Sequence, residues 1–247
     1  MPEALINGHK HYWEDRGAGD PILMFHGAAG SGLSLAGLGT ELAKTHRTLA
    51  VDMRSMGRSA HVAEIPPSAW VDDAVALLAH LGIARAHIFG VSLGARVALR
   101  LVADHPQLVR SLILEQPIIA MEGDTNQALN NNIGSFDNFS EAEQKQRQAI
   151  HGDDWRTVMA NYFAIRNRPE LQAHYSLREQ SKAVAVPTLI LRGDEREPVH
   201  PLAHCFELHQ NIAGSWLWIR PNSKSNLSRT VPDEAFEKIR ALLASAP

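Results

Sequence analysis

Cysteine is almost missing from this chain: Cys205 is the only one in 247 residues. No intrachain disulfide can form, and neither a thiolate zinc site nor a CxxC redox pair can be built. Long apolar runs are missing too. No stretch approaches the ~18 residues of a membrane span, and Met1-Pro2-Glu3-Ala4-Leu5-Ile6 lacks the basic segment and apolar run of a secretory leader. Neither sign of charge dominates, since 24 Lys and Arg against 27 Asp and Glu leave a formal net charge of -3. That balance gives no electrostatic case for nucleic acid or an anionic membrane. The 13 histidines are scattered without HExxH spacing, so they read as surface and core imidazoles rather than a metal site. The expectation is a soluble, cytoplasmic protein without a cofactor, whose partner is a small-molecule substrate or ligand and whose state is a monomer or homodimer.

What is present is a core. With 45% hydrophobic residues the chain suits one large α/β domain with a lid, or two small domains. The chain is organised around Ala86 to Leu99, where a short apolar run rich in β-formers meets Gly90-Val91-Ser92-Leu93-Gly94 and a helix-forming segment starts at once. Strand, sharp turn and helix form a nucleophile elbow, whose crowded backbone needs small residues two before and two after the serine. Gly90 and Gly94 meet that need.

Around the elbow, strand and helix alternate, which argues for parallel pairing. Residues 3–7 and 9–15 read as a hairpin joined by Asn7-Gly8, and Pro21 to His26 reads as a continuous apolar strand. A glycine-rich loop, His26-Gly27-Ala28-Ala29-Gly30-Ser31-Gly32, leads to a helix near 34–44 and a strand over 47–51. Asp52-Met53-Arg54-Ser55-Met56-Gly57-Arg58-Ser59 reads as a loop. After Pro66-Pro67, a helix places Trp70, Ala74, Leu77, Leu78 and Leu81 on one face, and Val109 to Leu114 follows the elbow as a strand. From Gln116 the pattern changes: Gly123, Asn126, Asn130, Asn131, Asn132 and Gly134 read as a polar loop, followed by helices near 140–150, 154–166 and 169–181. Alternation resumes with a strand over 186–192, a helix over 199–211, a strand over 215–219 and a closing amphipathic helix over 232–244. The division is thus 1–115 and 186–247 as the core, with 116–185 as an inserted helical cap.

On three motifs the chain resembles the α/β-hydrolase superfamily over essentially its full length: His26-Gly27, Asp52-x-Arg54-x-x-Gly57-x-Ser59 and Gly90-Val91-Ser92-Leu93-Gly94. It is similar to the lidded subgroup of esterases, C–C bond hydrolases and enol-lactonases. The resemblance implies a mostly parallel, eight-stranded twisted sheet flanked by helices. It implies Ser92 as nucleophile, the backbone N–H groups of Ala28 and Leu93 as oxyanion hole, and His26 and Gly27 shaping the loop beside it.

The same resemblance exposes a departure. A serine hydroxyl needs a base, and the family supplies a histidine oriented by a carboxylate. Three residues after Gly193, where the acid belongs, stands Arg196. A loop one residue longer brings in Glu197, and Asp194 is the remaining candidate. The histidine belongs in Pro221-Asn222-Ser223-Lys224-Ser225-Asn226-Leu227, yet no histidine follows position 210; Ser225 occupies its place and Lys224 that of the preceding glycine. Two readings stay open. One is a hydrolase of a small apolar ester, lactone or C–C substrate with a rewired base: Lys224, or a histidine from elsewhere, with His200 the first to test. The other is a catalytically inactive ligand- or partner-binding protein of the same fold. Trp155, Tyr162, Phe163 and Tyr175 in the cap suggest an apolar or aromatic ligand.

Overall fold

The computed structural model describes residues 2–134 and 136–246; Met1, Ser135, Pro247 and the side chains at 123 and 132–134 lie outside the described residues. Asn7 and Gly8, both at positive φ, turn β1 (Glu3–Ile6) back onto β2 (His9–Arg16). The apolar runs then supply β3 (Pro21–Phe25), β4 (Arg47–Asp52), β5 (Ala86–Val91), β6 (Val109–Glu115), β7 (Thr188–Gly193) and β8 (Trp216–Arg220). They form one eight-stranded sheet in the order β1-β2-β4-β3-β5-β6-β7-β8. β2 pairs antiparallel with both of its neighbours, β1 and β4, and every other pairing is parallel.

Continuous apolar strands demand cover on both faces, and the two-residue period divides their side chains between two cores. Ile22, Met24, Phe89 and Ile113 pack with Leu38 and Leu42 of α1 (Ala36–Leu42) and with Phe236 and Ile239 of α11 (Pro232–Ser245). On the opposite face Leu23, Phe25, Ile88 and Leu112 meet Trp70 and Leu77 of α2 (Ala69–His80) and Val97 and Leu101 of α3 (Leu93–Asp104). The parallel strands therefore end together, and the loops at their carboxyl ends converge where α/β sheets hold their ligands.

Between β6 and β7 lie α4 (Gly123–Gly134), α5 (Glu141–His151), α6 (Trp155–Arg166), α7 (Pro169–His174) and α8 (Arg178–Ser181). α9 (Leu202–Asn211) follows β7, and the short α10 (Leu227–Thr230) follows β8. Two expectations are corrected here. The asparagine-rich stretch is helical: the Asn126 and Asn130 side chains, four apart on one face, both accept hydrogen bonds from the Arg166 guanidinium. A tertiary partner outweighs the few tenths of a kcal/mol by which asparagine disfavours a helix. The helix expected over 169–181 breaks at Ser176-Leu177, because Leu177 N–H donates to the Ile119 carbonyl at 2.9 Å instead of continuing the helix. Among the described residues, no helix is long and apolar enough to cross a membrane.

Candidate active site

β5 delivers Ser92 to the carboxyl edge of the sheet, with φ 55° and ψ -114°, a strained setting for a residue with a side chain. The turn is fixed from both sides. Ser92 N–H donates to the Glu115 carbonyl at 3.1 Å, and Ser92 C=O accepts from Ala95 N–H at 3.0 Å. A Cβ on Gly90 would stand 2.7 Å from Ala95 Cα, and one on Gly94 would stand 2.7 Å from the His26 carbonyl oxygen. Both glycines are required by close approach of backbone to backbone.

The hydroxyl so presented has a histidine partner. His200 Nε2 lies 2.8 Å from Ser92 Oγ across 108 positions of sequence, and His200 Nδ1 lies 2.7 Å from Glu197 Oε1. An ionised carboxylate only accepts, so Nδ1 carries a proton, and in the neutral imidazole Nε2 then faces the serine with its lone pair. Burial pushes the Glu197 carboxyl up. The bond and charge of His200 and the N–H groups of Val199 (2.8 Å) and His200 (3.1 Å) outweigh it, bringing the group down to about 2. The loop itself is wound on Arg192, which is fully buried. Its guanidinium donates to the carbonyls of Gly193 (2.6 Å) and Glu195 (2.9 Å) and stands 3.4 Å from Glu197 Oε1.

The other candidates lie elsewhere. The expectation of a base at Lys224 is corrected: its side chain is 71% exposed, and its ammonium sits 2.5 Å from Glu195 Oε1 and is pushed up by that bond, the opposite of what a lysine base needs. Ser225 lines the cleft, but its recorded bonds are backbone ones, N–H to Glu195 Oε2 at 3.2 Å and C=O from Gly193 N–H at 3.3 Å. Asp194 accepts from Ser223 N–H at 3.1 Å and so secures the turn after β8. Arg196 is exposed on the outer side of the loop. The segment 223–225 is thus pinned by its backbone against the end of β7.

Where the downstream loop approaches the sheet it meets Glu115, a residue the sequence reading passed over. Glu115 is fully buried, takes hydrogen bonds from Ser228 N–H and Oγ at 2.7 Å each, and is nonetheless pushed up by burial. A carboxyl raised in the folded state stabilises below its unfolded value near 4.5 and loses that contribution as pH rises. Glu115→Gln should therefore raise the melting temperature at pH 8 by ~2–4 °C, on the order of 1 kcal/mol for a domain this size. The gain should vanish towards pH 4.5; a destabilised variant at pH 8 would contradict this account.

The loop after β3 comes close to the serine: a Cβ on Gly27 would stand 3.6 Å from Ser92 Cβ. His26 is fully buried and pushed down by burial; it joins Gly27 C=O (2.7 Å) to Met53 N–H (3.1 Å) through its two nitrogens. The motif after β4 braces the same loop. Asp52 accepts from Gly32 N–H at 2.7 Å and from Arg58 N–H at 2.8 Å, while Ser59 Oγ donates to the Asp52 carbonyl at 2.5 Å. From above, α5 holds Ala29 at φ 49°: its carbonyl accepts from Arg147 Nη1 (2.7 Å) and His151 Nε2 (3.2 Å). His151 takes Gly57 N–H on Nδ1 at 2.9 Å, and burial brings it down to about 4, so it stays neutral. Neither Arg147 nor His151 carried a signal in the sequence, because their partners are backbone carbonyls and amides far along the chain.

Ser92, His200 and Glu197 open onto a cleft of about 540 Å³ that also touches Ala28, Gly27 and Ser225. Ala28 and Leu93 flank Ser92 on a second, inner pocket. Comparison with known proteins identifies the fold. A family model described as alpha/beta hydrolase fold matches residues 20–157. Serine hydrolase BPHL of Homo sapiens is 27% identical over 96% of this chain and 84% of its own length. A 2-hydroxymuconate semialdehyde hydrolase of Pseudomonas sp. (strain CF600) is 37% identical over 45% of this chain and 41% of its own. Among solved structures, the meta-cleavage product hydrolase CumD superposes with a TM-score of 0.81 at 20% identity, covering 99% of this chain and 98% of that one.

Proposed function

The chain belongs to the α/β-hydrolase fold family, and from that premise we propose that it is a serine hydrolase whose acid and base share one loop. Ser92 is the nucleophile, His200 the base and Glu197 the residue that orients it. One observation carries the reading: the unbroken path from Ser92 Oγ through His200 to Glu197, with links of 2.8 and 2.7 Å. The substrate is a small apolar ester, lactone or C–C compound, and helices α4 to α8 form the cap over it.

In the first step Ser92 Oγ bonds to the substrate carbonyl carbon and its proton passes to His200 Nε2. The oxyanion is held by the N–H groups of Leu93, at the positive end of α3, and Ala28. Glu197 stabilises the imidazolium formed on Nε2 protonation. The tetrahedral adduct collapses, the carbonyl–oxygen bond to the leaving group breaks, and His200 returns its proton to that group. Water repeats the sequence on the acyl-enzyme, with His200 as base, and releases the acid.

A fluorophosphonate probe tests this reading. Wild-type protein should be labelled on Ser92, Ser92→Ala should not be, and Lys224→Ala should be labelled as fast as wild type. Unlabelled wild type beside a labelled control hydrolase would overturn it in favour of a binding protein.

A further inference from the structure

In the sheet, β6 lies between β5 and β7. Ser92 follows β5, the loop of Glu197 and His200 follows β7, and Gln116 follows β6 between them. Neighbouring strands stand about 4.8 Å apart, so the residue that leaves β6 is set between nucleophile and base. Backbone bonds hold it there from both sides. The Glu115 carbonyl accepts from Ser92 N–H at 3.1 Å, and Gln116 N–H donates to the Leu191 carbonyl at 2.9 Å. Gln116 lines the same cleft as Ser92, Val199 and His200.

Two features set Gln116 apart from an ordinary wall residue. Its φ is 39°, in the left-handed region that costs glutamine more than asparagine or glycine. Six residues other than glycine have positive φ among the described residues, and three of them, Ala29, Ser92 and Gln116, line this cleft. Backbone strain collects at functional sites. The second feature is chemical. Gln116 is only 9% exposed, and its Oε1 is buried without a hydrogen-bond partner. A buried carbonyl oxygen left unpaired is costly and calls for a donor. Among the described residues, no other buried side-chain atom left in that state borders the catalytic cleft.

The proposed reaction contains a donor that suits it. During acylation His200 Nε2 takes the proton of Ser92 Oγ across 2.8 Å. During hydrolysis of the acyl-enzyme the same nitrogen serves a water, which brings a second hydrogen. A water held at one point rotates about that bond, and a second acceptor fixes its lone pair on the acyl carbon. We infer that Gln116 orients the hydrolytic water, its Oε1 accepting one hydrogen while His200 Nε2 takes the other. The water oxygen bonds to the acyl carbon and keeps the hydrogen held by Gln116. The bond from that carbon to Ser92 Oγ then breaks, and His200 returns its proton to Oγ. This rests on the serine hydrolase reading above and adds a residue that acts on the second half-reaction alone. Acylation does not need it, because the attacking oxygen is then Ser92 Oγ, already set by the elbow.

The test separates the two half-reactions with 4-nitrophenyl acetate. Release of 4-nitrophenolate in the first turnover reports acylation, and intact-protein mass spectrometry follows loss of the acetyl group from Ser92. Gln116→Met keeps the length of the side chain and removes the acceptor. It should slow deacylation by about 10- to 100-fold, the scale of one hydrogen bond at a transition state, with acylation within about twofold of wild type. kcat and KM should fall by a common factor, because kcat/KM reports only the steps through acylation, and acetyl-enzyme should accumulate. Gln116→Asn controls for strain. Asparagine suits a φ of 39° better, so a merely structural role predicts unchanged stability and unchanged rates. With its carboxamide drawn back by one methylene, this variant should instead melt no lower than wild type and still deacylate more slowly. Undiminished deacylation in either variant, or equal losses in both half-reactions, overturns the inference and leaves the hydrolase reading intact. Should Gln116→Met fail to fold, Gln116→Asn decides alone. Wild type that places no acetyl group on Ser92 overturns the hydrolase reading and this inference with it.

Discussion

Replacing His200 by alanine should lower kcat/KM towards an activated ester by about 10⁴- to 10⁶-fold, ~5–8 kcal/mol of barrier. Without Nε2 at 2.8 Å from the hydroxyl, the Ser92 proton has no acceptor, and only binding and the oxyanion contacts remain. Lys224→Ala in the same assay should stay within about twofold, since its ammonium is paired to Glu195 at the surface. A His200 variant that keeps its rate, or a Lys224 variant that loses it, would return the base to the downstream loop. The pH profile adds a second readout. With Glu197 held at about 2, its carboxylate is ionised throughout the neutral range, so any loss of rate on acidification above pH 4 belongs to another group.

Gly94→Ala should abolish activity and cost on the order of 3–5 kcal/mol of stability, at the severe end for a single methyl. The new Cβ would overlap the Phe25 carbonyl and stand 2.7 Å from that of His26. Those are backbone atoms of β3 and of the loop it feeds, and neither can rotate away as a side chain would. Relief requires α3 to lift from the sheet, which takes Leu93 N–H away from the nucleophile and opens the face where Val97 and Leu101 pack. Chemical denaturation and ester turnover together check this. A stable but inactive variant would mean the strain stays local, and an active one would contradict the close approach.

The architecture was legible in the sequence because its determinants are local. Apolar runs of strand length, Asn7-Gly8, and the small residues flanking Ser92 each restrict the backbone where they stand. The downstream half of the site was harder to read because it depends on register between distant segments. Arg196 occupies the acid's usual place, yet the buried Arg192 draws the loop inward around its guanidinium, so that Glu197 and not Arg196 faces the serine. His200 stands out in the sequence only as the first histidine to test after the acid loop, since nothing in the spacing of residues 92 and 200 reveals a 2.8 Å contact. Asn126 and Asn130 misled in the opposite sense. Their preference for loops was real, but Arg166 satisfied them within a helix.

The placement of Glu197 and His200 three positions apart on one loop changes how the site can go out of alignment. With acid and base on separate loops, three independently mounted groups must come into register. Here the carboxylate and the imidazole travel as one rigid piece, and the only distance left to control is the gap between that piece and the elbow. A disturbance after β7 would shift both groups together, keeping the tautomer and failing only at the serine. On the proposed triad, the segment after β8 carries neither acid nor base, and Ser225 reaches the site only as part of the cleft wall.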